Sequence, residues 1–103
     1  MEVPGLSEGE LESFCQRWGI VEMSIFGSAA RGELEEDSDL DLLVVFEEGA
    51  EWSLFDHVRM EEELSELAGR EVDLITRRSV QRSRNWMRRN EILSSSEPVY
   101  AEG

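Results

Sequence analysis

The run Leu-Asp-Leu-Leu-Val-Val-Phe at positions 40–46 has the apolar, β-branched content of a strand buried in a sheet. It also carries Asp41, and Asp39 stands just before it. Burying an unpaired carboxylate costs several kcal/mol, on the order of what holds a small domain together. A fold built around this strand therefore has to bring something to that charge. Alternation along a strand points Asp39 and Asp41 the same way, with Cα atoms roughly 6–7 Å apart. At an effective dielectric near 20, two ionised carboxylates at that distance repel by about 3 kcal/mol. Protonation of one, a cation between them, or access to water would each relieve the repulsion.

The rest of the chain supplies a frame for that strand. Residues 7–18 have a helical pattern, with Ser7 and Glu10 forming a capping box, Leu11, Phe14, Cys15 and Trp18 on one stripe, and Gly19 as the stop. A strand is expected at 20–26, IVEMSIF, followed by a Gly27-Ser28 turn and a short helical piece through Arg31 that Gly32 ends. After the strand at 40–46 and a turn at 47–51, Ser53 and Asp56 cap a helix over 54–68. Leu54, Phe55, Val58, Leu64, Leu67 and Ala68 are expected inward on it, and Glu61, Glu62 and Glu63 outward. Gly69 ends it, EVDLIT at 71–76 reads as a third strand, 79–93 as one arginine-rich helix, and PVYA as a short terminal strand. The expected fold is α/β (α+β): a small mixed sheet with helices packed on it, in one domain over 1–103.

EVDLIT adds a third carboxylate. Asp73 alternates with Val72 and Leu74, so if this strand lies beside 40–46 it joins Asp39 and Asp41. Three hard oxygen donors, with no Cys or His in position, suit Mg²⁺ or Mn²⁺ and not zinc. Carboxylate-held divalent metal serves phosphate chemistry, and the Gly27-Ser28 turn offers a place for phosphate. Glycine permits close backbone approach, Ser28 has a hydroxyl and an amide to donate, and a helix starting there would aim its positive end at an anion. Arg31 is positioned to add charge-assisted hydrogen bonds or to pair with the acidic loop at 33–37. A calcium loop fits the acidic spacing but has Leu42 where its turn needs glycine.

These residues resemble a known signature. Gly27-Ser28, ten residues, then Asp39-x-Asp41 is similar to the motif of the DNA polymerase β-like nucleotidyltransferase superfamily. The stretches GSAARG, SDLDLLV, GREVDLIT and NEILSSSEPVYA resemble, more narrowly, the minimal nucleotidyltransferase (MNT) antitoxins paired with HEPN-domain ribonuclease toxins. The resemblance implies that Asp39 and Asp41 bind the metal ions and that Asp73 is the third catalytic carboxylate. It implies that Gly27 and Ser28 hold the triphosphate, with Arg31 as a further phosphate contact. The activity implied is transfer of AMP from ATP to a tyrosine of the toxin; toxin binding without catalysis and small-molecule nucleotidyl transfer are the alternatives.

Charge bears on partners. The net charge is −14, with no lysine, which disfavours direct nucleic-acid binding. Yet Arg77, Arg78, Arg82, Arg84, Arg88 and Arg89 crowd one region where Glu91 is the only nearby acid. Salt bridges to the acidic helix, RNA contact and a docking face for a partner protein are three readings of that cluster, and docking is favoured. His57 reads as a solvated helix residue, and Trp18 and Trp86 as core or interface. There is no apolar run long enough to cross a bilayer and no secretory signal, and the single Cys15 excludes an internal disulfide, so a cytoplasmic protein is expected.

Overall fold

The computed structural model describes residues 3–27, 29–33, 35 and 38–102. Its elements run α1 (Glu8–Trp18), β1 (Ile20–Phe26), β2 (Leu40–Phe46), α2 (Leu54–Ala68), β3 (Val72–Thr76), α3 (Arg77–Gln81), α4 (Trp86–Ser95) and β4 (Glu97–Ala101). The four strands form one mixed sheet in the order β3-β2-β1-β4. β2 pairs parallel with β3, and β1 pairs antiparallel with both β2 and β4. Both expected capping boxes are present, Ser7 with Glu10 and Ser53 with Asp56. Gly19 and Gly69 end α1 and α2 in the left-handed conformation at φ 67° and 71°.

The strand at 40–46 is interior to the sheet, and helices cover both of its faces. Leu40, Leu42 and Val44 enter the main core with Phe14 and Cys15 of α1 and Met60 and Leu64 of α2. Leu43 faces the other way, with Phe26, Val80 and Ile92, under α3 and α4. A bulge near Val21 lets Ile20, Met23 and Ile25 all point into the main core despite their uneven spacing. Cys15 is core filling, and burial pushes its thiol up to about 12.

Three sequence expectations change. Residues 27 and 29–32 form turns and not a helix, held by Arg31 N–H to Gly27 C=O at 3.3 Å and Gly32 N–H to Ala29 C=O at 3.2 Å. The single helix over 79–93 is two, because Asn85 caps a new start by accepting the Arg88 N–H at 3.1 Å. On α2, Leu54 and Phe55 are 79% and 83% exposed and Val58 is also exposed, while Met60 is fully buried.

The reason for the last difference is a polar stripe on α2. His57, Glu61 and Ser65 recur every four residues and face β3, an edge strand whose outer backbone groups have no strand partner among the described residues. Ser65 Oγ accepts the Val72 N–H at 3.0 Å, and Glu61 Oε2 accepts the Leu74 N–H at 2.8 Å. His57 Nε2 donates to the Leu74 carbonyl at 2.7 Å. The inward face of α2 is thus partly polar by design of the edge, and neither His57 nor Glu61 is a solvated bystander. Glu63 is also engaged, accepting from Arg17 at 2.6 Å and from Trp18 Nε1 at 3.0 Å. Trp52 packs edge-on against Trp18 at 5.2 Å between ring centroids, which explains an aromatic placed just ahead of a helix cap.

Candidate active site

The site forms where β1 hands over to the loop leading into β2. Antiparallel pairing sets Phe26 opposite Asp41, and parallel pairing sets Asp41 opposite Asp73. The register thus places the third carboxylate beside the second. Asp39 lies one residue ahead of β2, exposed, and Asp73 is exposed at the sheet edge, while Asp41 is half-buried. Burial raises the Asp41 carboxyl above the ordinary aspartate range. The charges of Asp73 and then Asp39 push it further the same way, and Arg88 pulls it back. Asp41 is thus the group on which the charges of the other two acids act.

Gly27 is the counterpart of this crowding. Its φ is 68°, and a Cβ on it would stand 2.8 Å from Asp41 Oδ2. Glycine is needed twice here, once for the left-handed turn and once so that backbone can lie against the carboxylate. Ser28 lies outside the described residues. A cleft of about 420 Å³ opens at this point, lined by Gly27, Arg31, Asp41, Arg88, Glu91 and Ser95 among others. Asp41 lines it; Asp39 and Asp73 do not. Arg31 is bonded to Glu33, Nε to Oε2 at 3.1 Å, in a half-exposed pair of modest strength.

Sequence reasoning missed the α4 wall of the cleft. Arg88, Glu91 and Ser95 fall on one helical face with the buried Ile92, a spacing visible in the sequence. What the spacing could not reveal is that α4 folds back over the carboxylate face of the sheet. Of the arginine cluster, Arg77 pairs with Glu22 at 3.5 Å. Among the described ion pairs none joins the cluster to the acidic run of α2, so the salt-bridge reading of it fails.

Among the described residues, no three acidic, His or Cys side chains are gathered closely enough to hold a metal as they stand. The donor set nevertheless fits a hard divalent cation. Burial first, and then the like charges of Asp73 and Asp39, hold Asp41 toward its protonated form, and a bound Mg²⁺ or Mn²⁺ would favour the ionised carboxylate instead.

A sheet of this order with paired acids beside a glycine turn fits a nucleotidyl-transfer domain. The family described as "Nucleotidyltransferase domain" matches residues 10–98, and the chain belongs to it. The protein adenylyltransferase MntA of Thermococcus cleftensis is 39% identical over 79 residues, 77% of this chain and 78% of that protein. A Methanocaldococcus jannaschii protein assigned as a protein adenylyltransferase, MJ0435, is 52% identical over 62 residues. That match spans 60% of this chain and 64% of the relative's length. Among solved structures, one assigned as a minimal nucleotidyltransferase superposes with a TM-score of 0.67 at 43% identity. It covers 86% of this chain and 85% of that one. A toxin–antitoxin structure with AMP-PNP shares the fold, with a TM-score of 0.71 at 14% identity over 93% of this chain and 74% of that one. No helix among the described residues is long and apolar enough to cross a membrane.

Proposed function

We propose that this chain transfers AMP from ATP to a tyrosine hydroxyl of a partner protein, a HEPN-type ribonuclease toxin, and acts as its antitoxin. The observation that carries this reading is the β2–β3 register, which sets Asp73 beside Asp41 at the Gly27 turn in a chain related to protein adenylyltransferases. Asp39 and Asp41 would hold Mg²⁺ or Mn²⁺, with Asp73 completing the set. A divalent ion there would neutralise phosphate charge and stabilise the entering and leaving oxygens. Gly27 and Ser28 would carry the triphosphate on their backbone, and Arg31 would exchange Glu33 for a phosphate oxygen.

In the transfer, the tyrosine oxygen forms a bond to the α-phosphorus while the bond from that phosphorus to the bridging oxygen breaks. Pyrophosphate leaves, and the hydroxyl proton passes to Asp73. Asp73 suits this role because it is exposed at the sheet edge, where an acceptor side chain can reach it.

The test is incubation with α-labelled ATP, Mg²⁺ and the protein encoded by the adjacent reading frame. Label should appear on that protein and vanish with Asp39→Ala. Neutralisation of the toxin that survives Asp39→Ala with Asp41→Ala, with no label transferred, would instead establish inhibition by binding alone. Label passing only to a small acceptor would establish the small-molecule alternative.

A further inference from the structure

The outer surface of α3 and α4 is not used by the cleft. Trp86 and Met87, in the first turn of α4, are 61% and 65% exposed. Between Arg77 and Asn90 the chain has six arginines and no acid, on a protein of net charge −14. Among the described ion pairs, Arg77 alone of these six meets a carboxylate, that of Glu22. Arg89 spends one N–H on the Gln81 carbonyl at 3.5 Å. Arg88 joins this surface to the cleft, since it lines the same cleft as Asp41. The molecule contains its own comparison: Leu54 and Phe55 are at least as exposed, but they sit on α2, which packs on the opposite face of the sheet beside acidic residues.

We propose that the acceptor protein docks on α3–α4, seating Trp86 and Met87 in an apolar socket ringed by its own carboxylates and so delivering its hydroxyl to the cleft. This rests on the transferase reading above. Tryptophan, methionine and arginine are the side chains that interfaces concentrate, and a central aromatic anchor carries most of the binding energy. Charge then sets direction. An acidic partner is repelled by most of this molecule and attracted at the one arginine-rich face, so it arrives with its acceptor next to Asp41. RNA would meet the same arginines, but the Trp–Met pair calls for an apolar socket, and the chain's overall charge opposes a polyanion.

The experiment measures label transfer from ATP to the protein of the adjacent reading frame, with KM determined separately for acceptor and for ATP. Trp86→Ser with Met87→Ser should raise acceptor KM about tenfold or more and leave ATP KM unchanged. Arg82→Glu with Arg84→Glu should do the same, by an amount that shrinks as salt is raised. Leu54→Ser with Phe55→Ser should match the parent. All these side chains are exposed, so unchanged circular dichroism and Tm are expected in every variant. A parent protein that transfers no label overturns the transferase reading and the docking proposal together. Transfer by the parent with an unchanged Trp86/Met87 variant, or with loss in the Leu54/Phe55 variant, overturns the docking alone. So does binding of a labelled single-stranded RNA that the Arg82/Arg84 variant loses while its acceptor KM stays the same.

Discussion

Gly27→Ala separates two reasons for a glycine that usually come together. Both Gly27 and Gly32 have left-handed backbones, at φ 68° and 72°. For an alanine this conformation costs about 1–2 kcal/mol. The smaller entropy of the unfolded alanine chain returns about 0.4–1 kcal/mol. Each substitution should therefore destabilise by about 1 kcal/mol, a Tm drop of about 4–8 °C in a domain near this size. The surroundings differ. Among the described residues a Cβ at Gly32 meets nothing within 4 Å, whereas one at Gly27 meets Asp41 Oδ2 at 2.8 Å. Because that oxygen is the end of a rotatable side chain, it should swing aside by a few tenths of an ångström at little cost to stability. The cost falls on function: a misplacement of about 1 Å is worth about 100-fold in rate, so a shift of about half that is worth about 10-fold. Thermal unfolding and single-turnover AMP transfer, run on both variants, give the answer. Equal Tm losses with transfer reduced about 10- to 100-fold in Gly27→Ala alone is the expected result. Equal transfer rates in the two variants would refute the claim that the Gly27 backbone is fitted to the Asp41 carboxylate.

Other outcomes follow from the same geometry. Met60→Ala should cost about 2–5 kcal/mol in chemical denaturation because Met60 is fully buried, whereas Phe55→Ala should stay within about 0.5 kcal/mol. Glu61→Ala leaves the Leu74 N–H without its acceptor, so hydrogen exchange at that amide should accelerate and stability should fall by about 1–3 kcal/mol; Glu61→Gln, which keeps an acceptor oxygen, should restore most of it. In metal-free buffer the raised Asp41 carboxyl gives the folded state the greater hold on its proton. Stability should therefore fall as pH rises from the unfolded aspartate value through the higher folded one. Tm-versus-pH curves in chelator should show this fall in the parent and not in Asp41→Asn, which should be the more stable protein at pH 7. Adding Mg²⁺ should raise the parent's Tm at that pH and leave Asp41→Asn unmoved.

What was legible in the sequence was whatever local chemistry alone decides. Ser7, Ser53, Gly19 and Gly69 set helix ends by hydrogen bonds and backbone conformations that need no tertiary partner, and the structure has them where the sequence places them. The alternation of Leu40, Leu42 and Val44 against Asp41 and Leu43 is equally local. On α2, apolarity is not the sign of the inward face. Inwardness there is set instead by the unpaired backbone of β3, which needs His57, Glu61 and Ser65 more than it needs another leucine. The α4 wall of the cleft was hidden for a related reason: the break at Asn85 turns the helix back over the sheet, a direction that periodicity does not encode.

The α2 ladder and the α4 wall meet at the carboxylates. Asp73 sits beside Asp41 only while β3 holds its register on β2, and among the described residues β3 has a neighbour strand on one side only. The polar ladder of α2 supplies the other side, bonding Val72 and Leu74, the residues on either flank of Asp73. An apolar helix face would have buried as much surface and left those backbone groups unsatisfied, free to slip by one residue and turn Asp73 into the core. The polar residues that obscured the helix in the sequence are therefore what keeps the third carboxylate on the side of the sheet where the other two are.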